Sequence, residues 1–311
     1  MNKNMIKLTA VAVIFLLLAT PAYGTLTRDE AVQSVLPYSR NHGSLSMAGP
    51  YTYQDNAYYY AEMTTNGTLS GVLIVNGETG DVITDESIAR KISFTHLYLT
   101  NVTQMNLAGY KTMKETYTAS AAVCRQKAEI FNQEIPLYNS ADRQKLGTIV
   151  QSYQNTAVVF DDLATLFDKI IATQEDVISG NASYENAVIL ENQTDEFEKL
   201  LEKLDKAYDK TIEDTNTYYD ILIDGASTYG LNASQISDYK IIGNSAFNQE
   251  REVLITMQLQ LIEEDRVNTN TRVETDIVLM NNLLSKSEVP GFGILAAVCA
   301  LIGIVLYGRR K

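Results

Sequence analysis

The sequence predicts an α+β chain that is mainly α: a small helix-plus-three-strand meander followed by a long antiparallel four-helix bundle. Three observations carry this. Between Thr25 and Thr84, short apolar runs alternate with Asn-Gly and Thr-Gly turns, the pattern of a small sheet. No proline occurs from 137 to 289, which favours long uninterrupted helices. Within that stretch Phe197, Leu201, Leu204, Tyr208, Thr211, Thr215, Tyr218 and Leu222 alternate steps of four and three. That is the coiled-coil spacing of helices packed at a small crossing angle.

Taken in order, Thr27-Arg28-Asp29-Glu30 opens a short helix, with Thr27 as cap and the two acids at the positive end of the helix dipole. It stops near Pro37. A Gly- and Ser-rich loop is expected from Asn41 to Pro50. Tyr58 to Met63 reads as a strand, Asn66-Gly67 as a tight turn and Leu69 to Val75 as the returning strand. Asn76-Gly77-Glu78-Thr79-Gly80 then turns the chain into a third strand, Asp81 to Thr84. Asp85 caps a long helix with apolar positions Ile88, Ile92, Leu99, Val102, Leu107 and Met113, ended at about Gln133 by Glu134-Ile135-Pro136. The second long helix runs from Ser140 to Ile178 on the stripe Val159, Leu163, Leu166 and Ile170. The third carries the heptad and breaks at Gly225 and Gly230. The fourth starts at about Ala233, with Val253, Met257, Leu261, Val273, Ile277, Met280 and Leu284 as its stripe.

Both ends carry targeting patterns. Lys3 and Lys7 precede an apolar run, Leu8 to Ala19, and the small residues of Ala22-Tyr23-Gly24 place signal cleavage between Gly24 and Thr25. At the other end Pro290-Gly291-Phe292 leads into an apolar run that closes on Arg309-Arg310-Lys311. From Gly291 to Tyr307 that run is about 17 residues, or about 26 Å as a helix, against the roughly 30 Å hydrocarbon core. It spans only marginally. The basic end stays cytoplasmic, so the rest of the chain faces outward. The resulting organisation is a signal peptide (1–24), a small α+β domain (25–84), a four-helix bundle ectodomain (85–287) and a sorting or anchoring tail (288–311).

The tail, with its triplet, its Gly- and Ala-containing apolar run and Arg309-Arg310, resembles the PGF-type sorting signal of archaeal surface proteins. The resemblance implies removal by an archaeosortase-type processing enzyme and attachment of a prenyl-derived lipid to the new C-terminus. A retained single-pass anchor is the alternative. The residues Asp29-Glu30-Ala31, Glu62-Met63 and the run Gly71 to Val82, with its Asn-Gly-Glu-Thr-Gly-Asp-Val turn, resemble a PepSY-type domain. That resemblance implies an exterior module that binds or restrains partner proteins, and it carries no catalytic residues with it.

Five Asn-x-Ser/Thr sequons, at Asn66, Asn101, Asn181, Asn192 and Asn232, lie between the apolar ends, where glycosylation is feasible. Once both ends are removed, Lys plus Arg falls from 25 to 20 while Asp plus Glu stays at 38, leaving −18. Such a charge argues against nucleic acid as a partner. Cys299 lies in the tail, so Cys124 has no intrachain disulfide partner and a packed core supplies the stability. His42 and His96 are too few for a triad or a His-rich metal site. Pairs such as Asp161-Asp162, Glu213-Asp214 and Glu263-Glu264-Asp265 lack calcium-loop spacing and read as solvated helix faces. No catalytic residue, metal site or cofactor is expected. The favoured function is a non-catalytic interaction or structural module of the archaeal envelope, anchored at the membrane with envelope or surface proteins as partners. The alternative is a ligand-binding or sensing ectodomain that works with a partner protein.

Overall fold

The computed structural model describes residues 25–286. Contacts divide the chain into two compact units, one ending at Ile92 and resuming at Asp276, the other running from Ser93 to Thr275.

In the first unit, helix α1 (Arg28–Ser39) starts on a reciprocal cap. Thr27 Oγ accepts from the Glu30 amide at 3.3 Å while Glu30 Oε2 accepts from the Thr27 amide at 2.7 Å. Three antiparallel strands follow in the order β1 (Ser44–Tyr53), β2 (Asn56–Thr65) and β3 (Thr68–Asn76). The two hairpins are two-residue turns, Gln54-Asp55 and Asn66-Gly67, with positive φ at all four residues, the geometry that matches strand twist. β2 is covered on both faces. The Tyr59 hydroxyl donates to the Leu26 carbonyl just before α1. The neighbouring Tyr60 hydroxyl donates at 2.9 Å to the buried carboxylate of Asp276. Burial on both sides explains why Tyr58-Tyr59-Tyr60-Ala61 reads as a continuous apolar run.

The meander sits one hairpin earlier than the sequence suggests. The expected loop at Asn41–Pro50 contains most of strand β1, whose Met47, Tyr51 and Tyr53 point inward. Pro50 is tolerated because β1 is an edge strand and its register shifts between Ala48 and Tyr51. The expected third strand at Asp81–Thr84 is reduced to a bridge between Val75 and Val82, so the chain only touches β3 before leaving.

Helix α2 (Glu86–Thr100) crosses the unit boundary. The long first helix expected to about Gln133 is divided: Thr103 turns extended and caps a new helix, α3 (Gln104–Glu134), accepting from the Asn106 amide at 3.2 Å. The β-branched run Thr100, Val102 and Thr103 favours this break. Helices α4 (Ser140–Ile178) and α5 (Tyr184–Asp224) follow, then α6 (Ala233–Arg251), a π-helical turn (Glu252–Thr256) and α7 (Met257–Lys286).

Cross-helix pairs give the direction of each neighbour. Between α3 and α4, Lys111 meets Glu175 at 2.8 Å, Lys114 meets Asp168 at 2.6 Å, and Arg125 meets Asp161. Between α4 and α5, Thr173 meets Gln193 at 3.1 Å, Lys169 meets Glu196 at 3.2 Å and Thr156 meets Thr211 at 2.9 Å. Lys240 meets Asp220 at 2.5 Å, Arg251 meets Asp205 at 2.6 Å and Arg266 meets Glu198 at 2.6 Å. Numbers rise on one helix as they fall on its partner, so α3 and α4, and α4 and α5, are antiparallel, and α6 and α7, continuous through the π turn, both run antiparallel to α5. The heptad is a real seam, with Leu201, Leu204, Tyr208, Thr211 and Thr215 all buried. The expected stripe of the fourth helix holds at its far end, where Ile277 and Met280 are buried, but not at its near end: Val253, Met257 and Leu261 are exposed, and Ile255 and Ile262 are buried instead. The π turn, Glu252–Thr256, falls in this near part, and a residue inserted into the repeat there shifts which side chains face inward around it.

Candidate functional site in the helical unit

Two concave features open within the helical unit. The first is a cavity of about 310 Å³ between α2, α3, α4, α5 and α7. Its walls are aromatic and aliphatic, with Tyr98, Tyr110, Phe167, Phe197, Leu190 and Ile262 among them. The rings are locked together: Phe167 lies 5.8 Å from Tyr110, 5.5 Å from Tyr117 and 5.2 Å from Phe197, the last edge to face. At the rim, Arg266 is held by Asp195 at 3.1 Å, Glu198 at 2.6 Å and Glu263 at 3.1 Å.

Electrostatics in this cavity are negative. Burial pushes the Tyr98 phenol up to about 12, and Glu191, Asp195 and Asp265 push in the same direction, with Arg266 alone opposing them. Glu191 is itself raised, by burial and then by Asp195. Burial also raises Tyr110, against a hydrogen bond from Gln174. Gln174 is only 4% exposed, and its Oε1 has no hydrogen-bond partner among the described residues. A buried acceptor without a donor costs about 1–3 kcal/mol.

The second feature is a cleft walled by α3 (Val123, Cys124, Lys127, Ile130) and α6 (Gly243, Ala246, Phe247, Glu250). Its floor is the α4–α5 seam: Tyr153, Thr156, Tyr208, Thr211 and Thr215. It has two lobes, of about 310 and 320 Å³. Lys127 Nζ reaches across it, 5.5 Å from the Tyr153 ring and 5.1 Å from the Phe247 ring. The rim residues Val123 and Ile130 are exposed.

The residues singled out from sequence do not gather into one site. His42 Nδ1 pairs with Ser70 Oγ at 2.6 Å beside the sheet, and His96 pairs with Thr100 on α2. Cys124 lines the cleft, its thiol pushed up to about 11 by burial. Of the acidic pairs, Asp161 faces Arg125, Asp214 faces Lys210 and accepts from Ser152 and Thr148, and Glu263 faces Arg266. Among the described residues no group of three or more His, Cys, Asp or Glu is placed to hold a metal ion. All five sequon asparagines are exposed. Asn66 occupies a hairpin turn, Asn101 the α2–α3 break, Asn181 the α4–α5 connection and Asn192 the surface of α5. Asn232 caps α6 through Oδ1 only. Gly24, Pro290, Gly291, Phe292, Arg309 and Arg310 lie outside the described residues, and Thr25 is the first residue within them.

Sequence reasoning missed Gln174, Tyr98 and Arg266 as a group. A signal for Gln174 was present: it follows Leu163, Phe167 and Ile170 at helical spacing, a polar residue on an apolar stripe. No described helix is long and apolar enough to cross a membrane. No curated protein and no solved structure matches the chain. Residues 289–311 match the model of the PGF-CTERM motif, which supports an exported archaeal surface protein, anchored at its C-terminus and processed by an archaeosortase.

Proposed function

We propose that the mature chain is a glycosylated, non-catalytic interaction module of the archaeal envelope, and that the α3–α6 cleft is its protein-contact surface. The observation that carries the interaction role is that cleft, where exposed Val123 and Ile130 rim a floor of tyrosine and threonine. Apolar side chains grouped at the edge of a concave surface mark a contact site. Phenol and hydroxyl groups below them offer recognition without a nucleophile–base pair. The helix and three antiparallel strands of the first unit fit a PepSY-like module that engages a partner of its own. Photo-crosslinkers introduced at Val123 and Ile130 in the native envelope should yield one discrete protein adduct, and one at Val158, on the outer face of α4, none. Equal labelling at all three positions, or none at any, refutes the assignment.

A second reading, a ligand-binding ectodomain, is favoured by one specific observation: the aromatic cavity with a buried, unpartnered amide oxygen. A volume of about 310 Å³ is at the lower end for small-molecule sites.

A further inference from the structure

We propose that the cavity bounded by Tyr98, Tyr110, Phe167, Gln174 and Asp265 binds a small organic ammonium ion with an apolar body, Gln174 Oε1 accepting one of its N–H groups. The inference rests on the ligand-binding reading and adds the ligand's class and the atoms that recognise it.

Three independent features select that class. Gln174 Oε1 is a buried acceptor, so its complement is a donor, and an N–H or ammonium group offers one. Charge decides between neutral and cationic donors. The carboxylate of Asp265 lines the cavity and Glu191 acts on Tyr98 from beside it, whereas the single guanidinium among the lining residues, Arg266, is already shared among three acids, Asp195, Glu198 and Glu263. An anion brought here meets uncompensated repulsion, and a cation meets an unspent negative field that the low-polarity walls do not screen. Finally, the faces and edges of Tyr98, Tyr110, Phe167 and Phe197 give a cation the aromatic surroundings it prefers over aliphatic ones, and give the ligand's body its apolar contact. A metal ion fits poorly, since no cluster of ligating side chains is placed for one among the described residues.

The orphaned amide separates a binding role from a structural one. A Gln that stabilises the fold has both amide ends paired, whereas one retained for a ligand is a defect in the unliganded protein. Gln174→Leu removes the unpaired acceptor at similar volume; it also removes the bond to Tyr110, whose loss costs less than a buried acceptor left unpaired. It should leave the melting temperature of the mature ectodomain unchanged or raise it, and weaken the ligand.

The test is calorimetric titration of the mature ectodomain with 2-phenylethylammonium, 2-phenylethanol and 3-phenylpropionate. The ammonium should bind saturably, at least about tenfold tighter than the alcohol, with no measurable binding of the carboxylate. Gln174→Leu and Asp265→Asn should each weaken the ammonium about tenfold or more, with a wild-type or higher melting temperature for Gln174→Leu. If the carboxylate or the alcohol binds as well as the ammonium, the cation assignment falls while the ligand-binding reading stands. If none of the three binds saturably, and Gln174→Leu lowers the melting temperature, the amide is structural and both fall. Unchanged ammonium affinity in Gln174→Leu overturns the proposed contact.

Discussion

Leu204→Ala tests whether the helical unit is a packed scaffold or a set of loosely associated helices. Leu204 is fully buried in the middle of the α5 seam, between Leu201 and Tyr208 on the same face, whereas Glu202, two residues away, is exposed. Truncation removes three carbons from the interior, worth about 2.4 kcal/mol in transfer alone at about 0.8 per CH₂. The cavity left behind raises the cost into the range of about 3–4 kcal/mol. For a unit of this size each kcal/mol moves the melting temperature by about 2–4 °C, so the transition should fall by about 6–16 °C. Glu202→Ala should cost no more than about 0.5 kcal/mol. Differential scanning calorimetry of the ectodomain measures both variants, with the α+β unit as an internal reference. A shift below about 2 °C for Leu204→Ala, equal to that of Glu202→Ala, would refute the packed seam and leave solvated helices as the better description.

Gly80 has φ +77°, which a β-branched residue adopts only with strain, and a Cβ there meets Ser34 Oγ at 3.2 Å. Gly80→Val should therefore cost about 1–2 kcal/mol or more, read as a lower denaturation midpoint of the first unit, and an unchanged midpoint refutes the backbone argument. Arg251 bridges Asp205 and Asp209 at 2.6 and 2.8 Å while remaining partly exposed. Arg251→Ala should cost about 1 kcal/mol or less at low ionic strength and little in 1 M salt, and a large salt-independent loss refutes this. Burial pushes Tyr98 and Tyr153 each up to about 12. Above pH 10 the unfolded chain then binds fewer protons than the folded one, so stability is intact below pH 10 and falls between about pH 10 and 12. Urea midpoints that stay flat across that window would contradict the burial of these phenols.

Periodicity made the helical part legible. The second long helix has the bounds expected from sequence, Ser140 to Ile178, because Asn139 caps one end and Ser179-Gly180 closes the other. The heptad predicted which face of α5 is buried. What failed were features that a one-dimensional repeat does not encode. A π turn shifts the near part of the last helix's stripe, around Val253 to Leu261, while Ile277 and Met280 stay buried as expected. Thr103, a β-branched residue inside an apparent helix, becomes a cap. The edge strand β1 hides behind Gly and Ser because it has only one neighbouring strand and needs fewer apolar residues. Of the candidate site, the aromatic residues were visible, but their convergence was not: Tyr98, Phe167 and Arg266 come from three separate helices, and no local spacing connects them.

The heptad also conceals a division of labour along α4 and α5. One half of their seam is apolar, with Leu163, Leu166, Phe167 and Ile170 against Phe197, Leu200, Leu201 and Leu204. In the other half hydroxyls join the buried aliphatics Leu146, Ile149 and Ile221: Thr156 pairs with Thr211 at 2.9 Å, Tyr153 with Thr215 at 3.1 Å, and Ser152 and Thr148 both donate to Asp214. The steps of four and three are the same in both halves, so spacing does not distinguish them. Energy does. A buried hydroxyl pair contributes about 0.5–1.5 kcal/mol net, whereas each buried leucine or phenylalanine contributes about 1.5–3 kcal/mol. The aromatic cavity is built on the apolar half, where Phe167 and Ile170 of α4 and Phe197 of α5 line it. The hydroxyl half adds directional pairs to its apolar contacts, and it forms the floor of the α3–α6 cleft. The seam thus changes character along its length: the aromatic cavity lies at its apolar end, and the proposed α3–α6 contact cleft lies over its hydroxyl end.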